Sequence, residues 1–355
     1  MDVHELSPLF ELPAPVVTWY LATEAAEDSE AQLEISWKNG LRDLPEIGVD
    51  DATIEALAGA RRTAGEETGT RVLVAAGGKV HLDRHLPAPA IGAELAVGPL
   101  PRLLPLLGWL GGQRPHLVVL ADREGADVIA YPMTGSPPAR EVSAQTAEWP
   151  THKAGIGGWA AKRFDATVEE SWERSAERVA TLVDDVARQL EPAVVVGSGD
   201  ERAISLLQAH LPAPLHERFV AVAGGGRHAD GGGDEVSRRV AETVAAVAAH
   251  DEAEVLERFA EASGRGDGAR DGVGDVVRAL QQAQVDTLLI GRGWHWSDRT
   301  LGYGPVATQL ATDPAELDAM GVQRHETAPL ADVVLRAALG TEADVVVISD
   351  GADPA

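Results

Sequence analysis

The chain has 355 residues, enough for two or three domains that each bury a core. It has no cysteine, which excludes disulfides, thiolate metal sites and thiol nucleophiles and gives no sign of an oxidising compartment. A formal net charge of -26 repels phosphate at long range, so any nucleic-acid contact must come from a local basic or main-chain-donor patch.

The first residues, Met1 to Leu6, are not a basic region followed by an apolar one, and no window approaches the ~18 apolar residues of a membrane helix. The expectation is a cytoplasmic protein with no membrane partner. An apolar stretch from Val16 to Ala22 leads into a polar segment, Glu24 to Leu44, where Leu33, Trp37 and Leu41 recur at helical spacing. Arg71 to Ala76 and Val80 to Leu82 read as strands around Gly77-Gly78. On the second strand His81, Asp83 and His85 alternate, a pattern compatible with metal ligands but more often a solvated face. An apolar run interrupted by prolines, Leu95 to Leu110, closes a mixed α/β region assigned to residues 1–113.

Gly111-Gly112-Gln113 follows that run. It lacks basic neighbours and a helix start, so it reads as an interdomain turn. Residues 116 to 121 and 127 to 133 then give a hairpin signal around Asp122-Arg123-Glu124-Gly125. A polar stretch ends at Trp149-Pro150, and a long helix follows whose Val168, Trp172, Val179, Val183, Val186 and Leu190 form one apolar face. Ala193 to Val196 reads as a buried strand, Ala203 to His210 as a helix and Phe219 to Ala223 as another strand. The triglycines at 224–226 and 231–233 close a second region, 114–232. The third, 233–355, begins with a helix from Asp234 to about Ala262. It continues with a helix from Val273 to Gln284, a strand from Asp286 to Ile290, a helix from Leu330 to Leu339 and a strand from Ala343 to Ser349. Residues 1–113 carry 8 basic and 17 acidic side chains, 114–232 carry 12 and 17, and 233–355 carry 10 and 22. The middle region is the least acidic.

The most informative segment is Thr151 to Phe164. Gly155, Gly157 and Gly158 remove side chains that would block close approach of the backbone to another surface. From Trp149 to Phe164 there is no acid, while His152, Lys153, Lys162 and Arg163 supply local cations. Free N–H groups at the start of the following helix add to the attraction for an anion. Alone, these residues fit a flexible connector equally well. A loose Gly155-x-Gly157-x-x-Ala160 dinucleotide pattern lacks a preceding strand, and the triglycines lack the Gly-Lys-Ser/Thr of a phosphate loop. No ordered catalytic triad stands out, and no cofactor or metal is implied. Trp294-His295-Trp296 and Tyr303 suit either stacking on a partner or local packing.

The segment resembles the catalytic loop of archaeal and eukaryotic class-one release factors and Pelota, a basic His-Gly-x-Gly-Gly-Gln stretch followed by Ser-Ala-x-Arg-Phe and a long helix. His152, Gly155, Gly157, Gly158, Ala161, Arg163 and Phe164 sit at or within a position of that pattern. Gly272-Val273-Gly274-Asp275 through Ala279-Leu280 is similar to an element of the family's third domain. The two matches span roughly residues 114 to 290, and bacterial members of the family are the nearest in character. The resemblance implies an α/β protein of three domains in a release-factor/Pelota-like arrangement, with a mixed α/β middle domain and an α/β sandwich at the C-terminal end. It further implies a ribosome-bound factor in the A site, with Gly155, Gly157, Gly158 and Trp159 at the peptidyl-transferase centre and His152, Lys153, Lys162 and Arg163 on ribosomal RNA. A translational GTPase such as elongation factor Tu is the implied partner.

The departure is Trp159, which stands where the family has its hydrolytic glutamine. It keeps a main-chain N–H but replaces an amide that donates and accepts with an indole that only donates. Its bulk would exclude water, so occlusion in the manner of ribosome hibernation is expected in place of catalysis. Peptidyl-tRNA hydrolysis through backbone and water is the alternative, and a Trp159 folded back on its helix is the structural one.

Overall fold

A computed structural model describes residues 3–23, 29–61, 69–87, 94–122, 125–145, 159–224, 233–296 and 298–349, with side-chain surroundings omitted for a few of these, including 159–171. The chain forms two compact units, one of residues 1–111 with 252–355 and the other of residues 112–251.

In the first unit, β1 (Val16–Thr23) is followed by α1 (Ser29–Asp43), α2 (Asp51–Gly59), β2 (Gly69–Ala76), β3 (Lys79–Leu86), β4 (Glu94–Gly98) and α3 (Leu104–Gly111). The strands make one antiparallel sheet in the order β3-β2-β1-β4. Alternation sends Val17, Trp19, Leu21, Leu73 and Ala75 to one face, where Trp37, Leu44 and Leu57 cover them. Val16, Tyr20, Val72 and Val74 go to the other. Asp50 caps α2 by accepting from the Thr53 amide at 2.9 Å. Asp83 is held by Arg71 through two 2.8 Å bonds, and Arg71 lies over the Trp37 ring. That makes Asp83 the partner of a buried arginine.

The second unit is built on β5 (His116–Ala121), β6 (Gly125–Tyr131), β7 (Arg140–Gln145), α4 (Trp159–Leu190), β8 (Val194–Gly199), α5 (Glu201–His210), α6 (Ala213–Glu217) and β9 (Phe219–Ala221). The sheet order is β7-β6-β5-β8-β9. The first three strands form an antiparallel meander, while β5, β8 and β9 run parallel, joined by helical crossovers through α4 and α5. Strand β7 interrupts the stretch read from sequence as merely polar. Leu117, Val119, Val128 and Val195 face α4 and α5, meeting Val179, Val183, Val186 and Leu207. Val118, Val194 and Val196 face the opposite way and meet Val236, Val240 and Val244 from the start of α7 (Gly233–Arg265).

The rest of α7, from Glu252, counts with the first unit, where α8 (Val273–Gln281), β10 (Thr287–Gly291), β11 (Thr300–Tyr303), β12 (Leu310–Ala311), α9 (Pro314–Ala319), β13 (Glu326–Pro329), α10 (Leu330–Gly340) and β14 (Asp344–Ile348) follow. Two small sheets form: β10 parallel to β14, and β12-β11-β13 antiparallel. Helix α10 is nearly enclosed, and Leu335, Ala337, Ala338 and Leu339 share a single cluster with Tyr20, Val72, Leu103 and Leu106.

The protein is thus α/β and multi-domain. The expected sequence boundaries of 1–113, 114–232 and 233–355 differ from the compact units in two respects. The first and last regions share an apolar core, and the first half of α7 supplies the second layer of the middle sheet. Glycine runs mark chain punctuation, whereas a unit is defined by what its apolar faces cover.

Candidate functional site

The site suggested by sequence sits at the start of α4. Residues 146–158, which include His152, Lys153, Gly155, Gly157 and Gly158, lie outside the described residues. Trp159 is the first residue of α4 and Lys162 and Arg163 fall in its first turns, their side chains not described.

What the structure adds is how α4 is held. Its C-terminal half is fixed on the middle sheet by Val179, Val183 and Val186, all buried. Farther toward the N-terminus, Arg202 of α5 lies 5.5 Å from the Trp172 ring and His210 meets Glu173 at 2.8 Å. The thirteen residue steps from Trp172 back to Trp159 correspond to about 20 Å of helix at about 1.5 Å per step. An anchored helix therefore leads directly to the glycine-rich segment.

The first turn of α4 contains no acid. A helix N-terminus carries about half a positive charge, which acidic side chains ordinarily neutralise. Here Lys162 and Arg163 add cations to that same end. With no acid in that turn and two cations close by, this end is one that an anion would stabilise.

The literal Gly111-Gly112-Gln113 is occupied differently. The Gln113 side-chain oxygen accepts from the Thr134 amide at 3.0 Å, and its carbonyl accepts from Arg114 at 2.8 Å. Arg114 also pairs with Asp251 at 2.7 Å. This glutamine ties down a turn. His116 is buried against Tyr131 with ring centroids 5.2 Å apart, and burial pulls its pKa below the ordinary imidazole value despite a bond to the Arg114 carbonyl. Trp294 is joined by Arg299, 5.8 Å from its ring, and the Tyr303 hydroxyl donates to Glu326 at 3.0 Å. Both aromatics therefore have local partners, while His295 and Trp296 have no described side-chain surroundings. Among the described residues no group of three or more histidine, aspartate or glutamate side chains is disposed to hold a metal, and no helix is long and apolar enough to cross a membrane.

Residues 115–265, which contain the glycine loop, all of α4 and all of α7, match the model of bacterial archaeo-eukaryotic release factor family 2. Over that segment the chain is similar to this family. An uncharacterized protein of Mycobacterium tuberculosis is 27% identical over 343 residues, covering 91% of this chain and 88% of that one. Among solved structures, the archaeal translation termination factor aRF1 aligns at 15% identity over 99% of this chain and 93% of its own, with a TM-score of 0.26. Archaeal Pelota, from a ribosome-bound model, aligns at 13% identity over 98% and 88%, with a TM-score of 0.39. The matched segment thus lies in the middle unit and α7.

Proposed function

We propose that this protein is a ribosome-binding factor that occupies the A site and sets Gly155, Gly157, Gly158 and Trp159 at the peptidyl-transferase centre without hydrolysing peptidyl-tRNA. The observation that carries the reading is the family match across residues 115–265, which includes a glycine loop whose glutamine position is held by Trp159. The acid-free first turn of α4 supports it, because an end left electropositive suits a phosphate-dense surface. His152, Lys153, Lys162 and Arg163 then contact ribosomal RNA, and the factor acts in the cytoplasm in hibernation or translation inhibition. A translational GTPase such as elongation factor Tu is the proposed delivery partner. In this proposal regions 1–113, 114–232 and 233–355 act as the decoding-side, peptidyl-transferase and GTPase-side parts of the chain.

Chemically, the reading turns on what an indole does in place of an amide. A glutamine side chain orders water by donating and accepting, whereas Trp159 offers one donor and a large apolar surface. The expected result with ribosomes carrying peptidyl-tRNA is stable binding and no peptide release above the spontaneous rate. Prompt release that Gly158→Ala abolishes would instead establish a peptidyl-tRNA hydrolase working through loop backbone and water.

A further inference from the structure

Inside the unit formed by the first and last parts of the chain, one acid is enclosed where acids ordinarily face water. Asp332 stands in the first turn of α10, yet it is only 3% exposed. Its Oδ2 has no hydrogen-bond partner among the described residues. Leaving a buried carboxylate oxygen unsatisfied is costly when it is charged and much less so when it is protonated.

The groups around Asp332 come from the N-terminal sheet. Tyr20 of β1 is fully buried and donates its hydroxyl to the Arg102 carbonyl at 2.7 Å. Arg102, in the turn between β4 and α3, gives its guanidinium to Glu94 of β4 at 3.2 Å. Arg102 is the cation that favours an ionised Asp332, and Glu94 both engages it and repels a second carboxylate. Charged groups on the other elements around α10 have partners elsewhere. Glu11 pairs with Arg336, Arg292 donates to the Gly108 carbonyl, Glu326 accepts from Tyr303, His4 meets Asp344, and Asp275 pairs with Arg278. Burial foremost, with Glu94 adding to it against Arg102, pushes the Asp332 carboxyl up to about 7.

We propose that Asp332 is a proton-operated latch between the N-terminal sheet and helix α10. With Asp332 protonated, β1, α3 and α10 share one apolar core. On deprotonation the new carboxylate competes with Glu94 for Arg102, and the packing of α10 on the sheet loosens. The folded carboxyl holds its proton more tightly than an unfolded one, near 3.8. The latch's contribution is therefore fully present below about pH 4 and is lost as pH rises through about 7. Acidification tightens this unit, and the middle unit has no part in the device.

Hydrogen exchange of the full chain, corrected for intrinsic pH dependence, tests this, with residues 116–131 as an internal reference. Protection across residues 16–23 and 330–340 should fall about tenfold relative to that reference between pH 6 and pH 8, as one proton leaves with a midpoint near 7. Asp332→Asn, which keeps the shape of the protonated acid, should hold protection at its low-pH value throughout. An unchanged pH dependence in Asp332→Asn, or none in the wild type, would overturn the latch. Should the variant not fold, carboxyl NMR of 13C-aspartate-labelled wild type decides: one aspartate titrating between pH 6 and 8 supports the proposal, and all titrating below pH 5 refutes it.

Discussion

Two long helices in this chain, α4 and α7, both follow glycine-rich stretches, and their first turns are opposites. Helix α7 opens with Asp234 and Glu235, and Glu235 accepts from Arg238 at 2.6 Å and from Arg239 at 2.7 Å. Those two hydrogen bonds, Arg238 first, hold the Glu235 carboxyl down to about 2. Acid at the N-terminus and base one turn later complete the helix from within. Helix α4 lacks the first device: its first turn has no acid, and Lys162 and Arg163 stand at its positive end. The same chain can finish a helix start when only structure is at stake. In the proposed function, the acid-free start of α4 is the end that meets the ribosome.

The largest effect that would break this comparison is on ribosome binding. Replacing Lys162 and Arg163 together by alanine should weaken binding more than tenfold and reduce the log–log salt slope by about 2, since each phosphate contact contributes about one unit. Equilibrium binding to ribosomes across a salt series checks this, and an unchanged slope would remove α4 from the interface. With Lys162 and Arg163 facing ribosomal RNA as proposed, the double substitution should leave the thermal stability of the middle unit within about 0.5 kcal/mol of wild type.

Next in size are the two faces of the middle sheet. Val183 on α4 and Val244 on α7 are both buried, at 0% and 1% exposure, on opposite sides of that sheet. Truncating either to alanine removes two methyl groups and should cost about 2 kcal/mol in denaturant unfolding. Equal costs would confirm that the first half of α7 belongs structurally to the middle unit despite following the glycine boundary. A negligible cost for Val244→Ala would restore that boundary as a domain limit.

The smallest effect concerns Glu235. Its carboxyl is depressed in the fold, so the bonds to Arg238 and Arg239 stabilise the start of α7 above the unfolded carboxylate's pKa of about 4.5 and are lost as pH falls toward about 2. Glu235→Gln should raise hydrogen exchange locally at residues 234–239 at neutral pH and abolish its acid dependence. Exchange in α4 should be indifferent to that change.

Much of the middle unit was legible because its signals are local. The hairpin of β5 and β6 is announced by β-branched runs on either side of Asp122 to Gly125, and α4 by valines at helical spacing. Strand β7 was not, because Arg140-Glu141-Val142-Ser143-Ala144-Gln145 carries only two apolar residues, and these face the core only once β6 is beside it. Strands β11 and β12 have four and two residues, too few to show a period. The role of Asp83 depends on β2–β3 register, which sets it against Leu73 beside Arg71. Asp332 reads in sequence as an ordinary acid at a helix start. Its enclosure comes from β1 and α3, more than two hundred residues away, so no local pattern foretells it. For the glycine segment itself, residue types are visible in sequence while their placement lies outside the described residues.

The most direct measurement is a cryo-EM reconstruction of ribosomes mixed with the intact protein. The account predicts density for the chain in the A site, with α4 directed at the peptidyl-transferase centre and the Trp159 indole in its cavity. A protein bound elsewhere, or one with Trp159 turned back on its own helix, would contradict it.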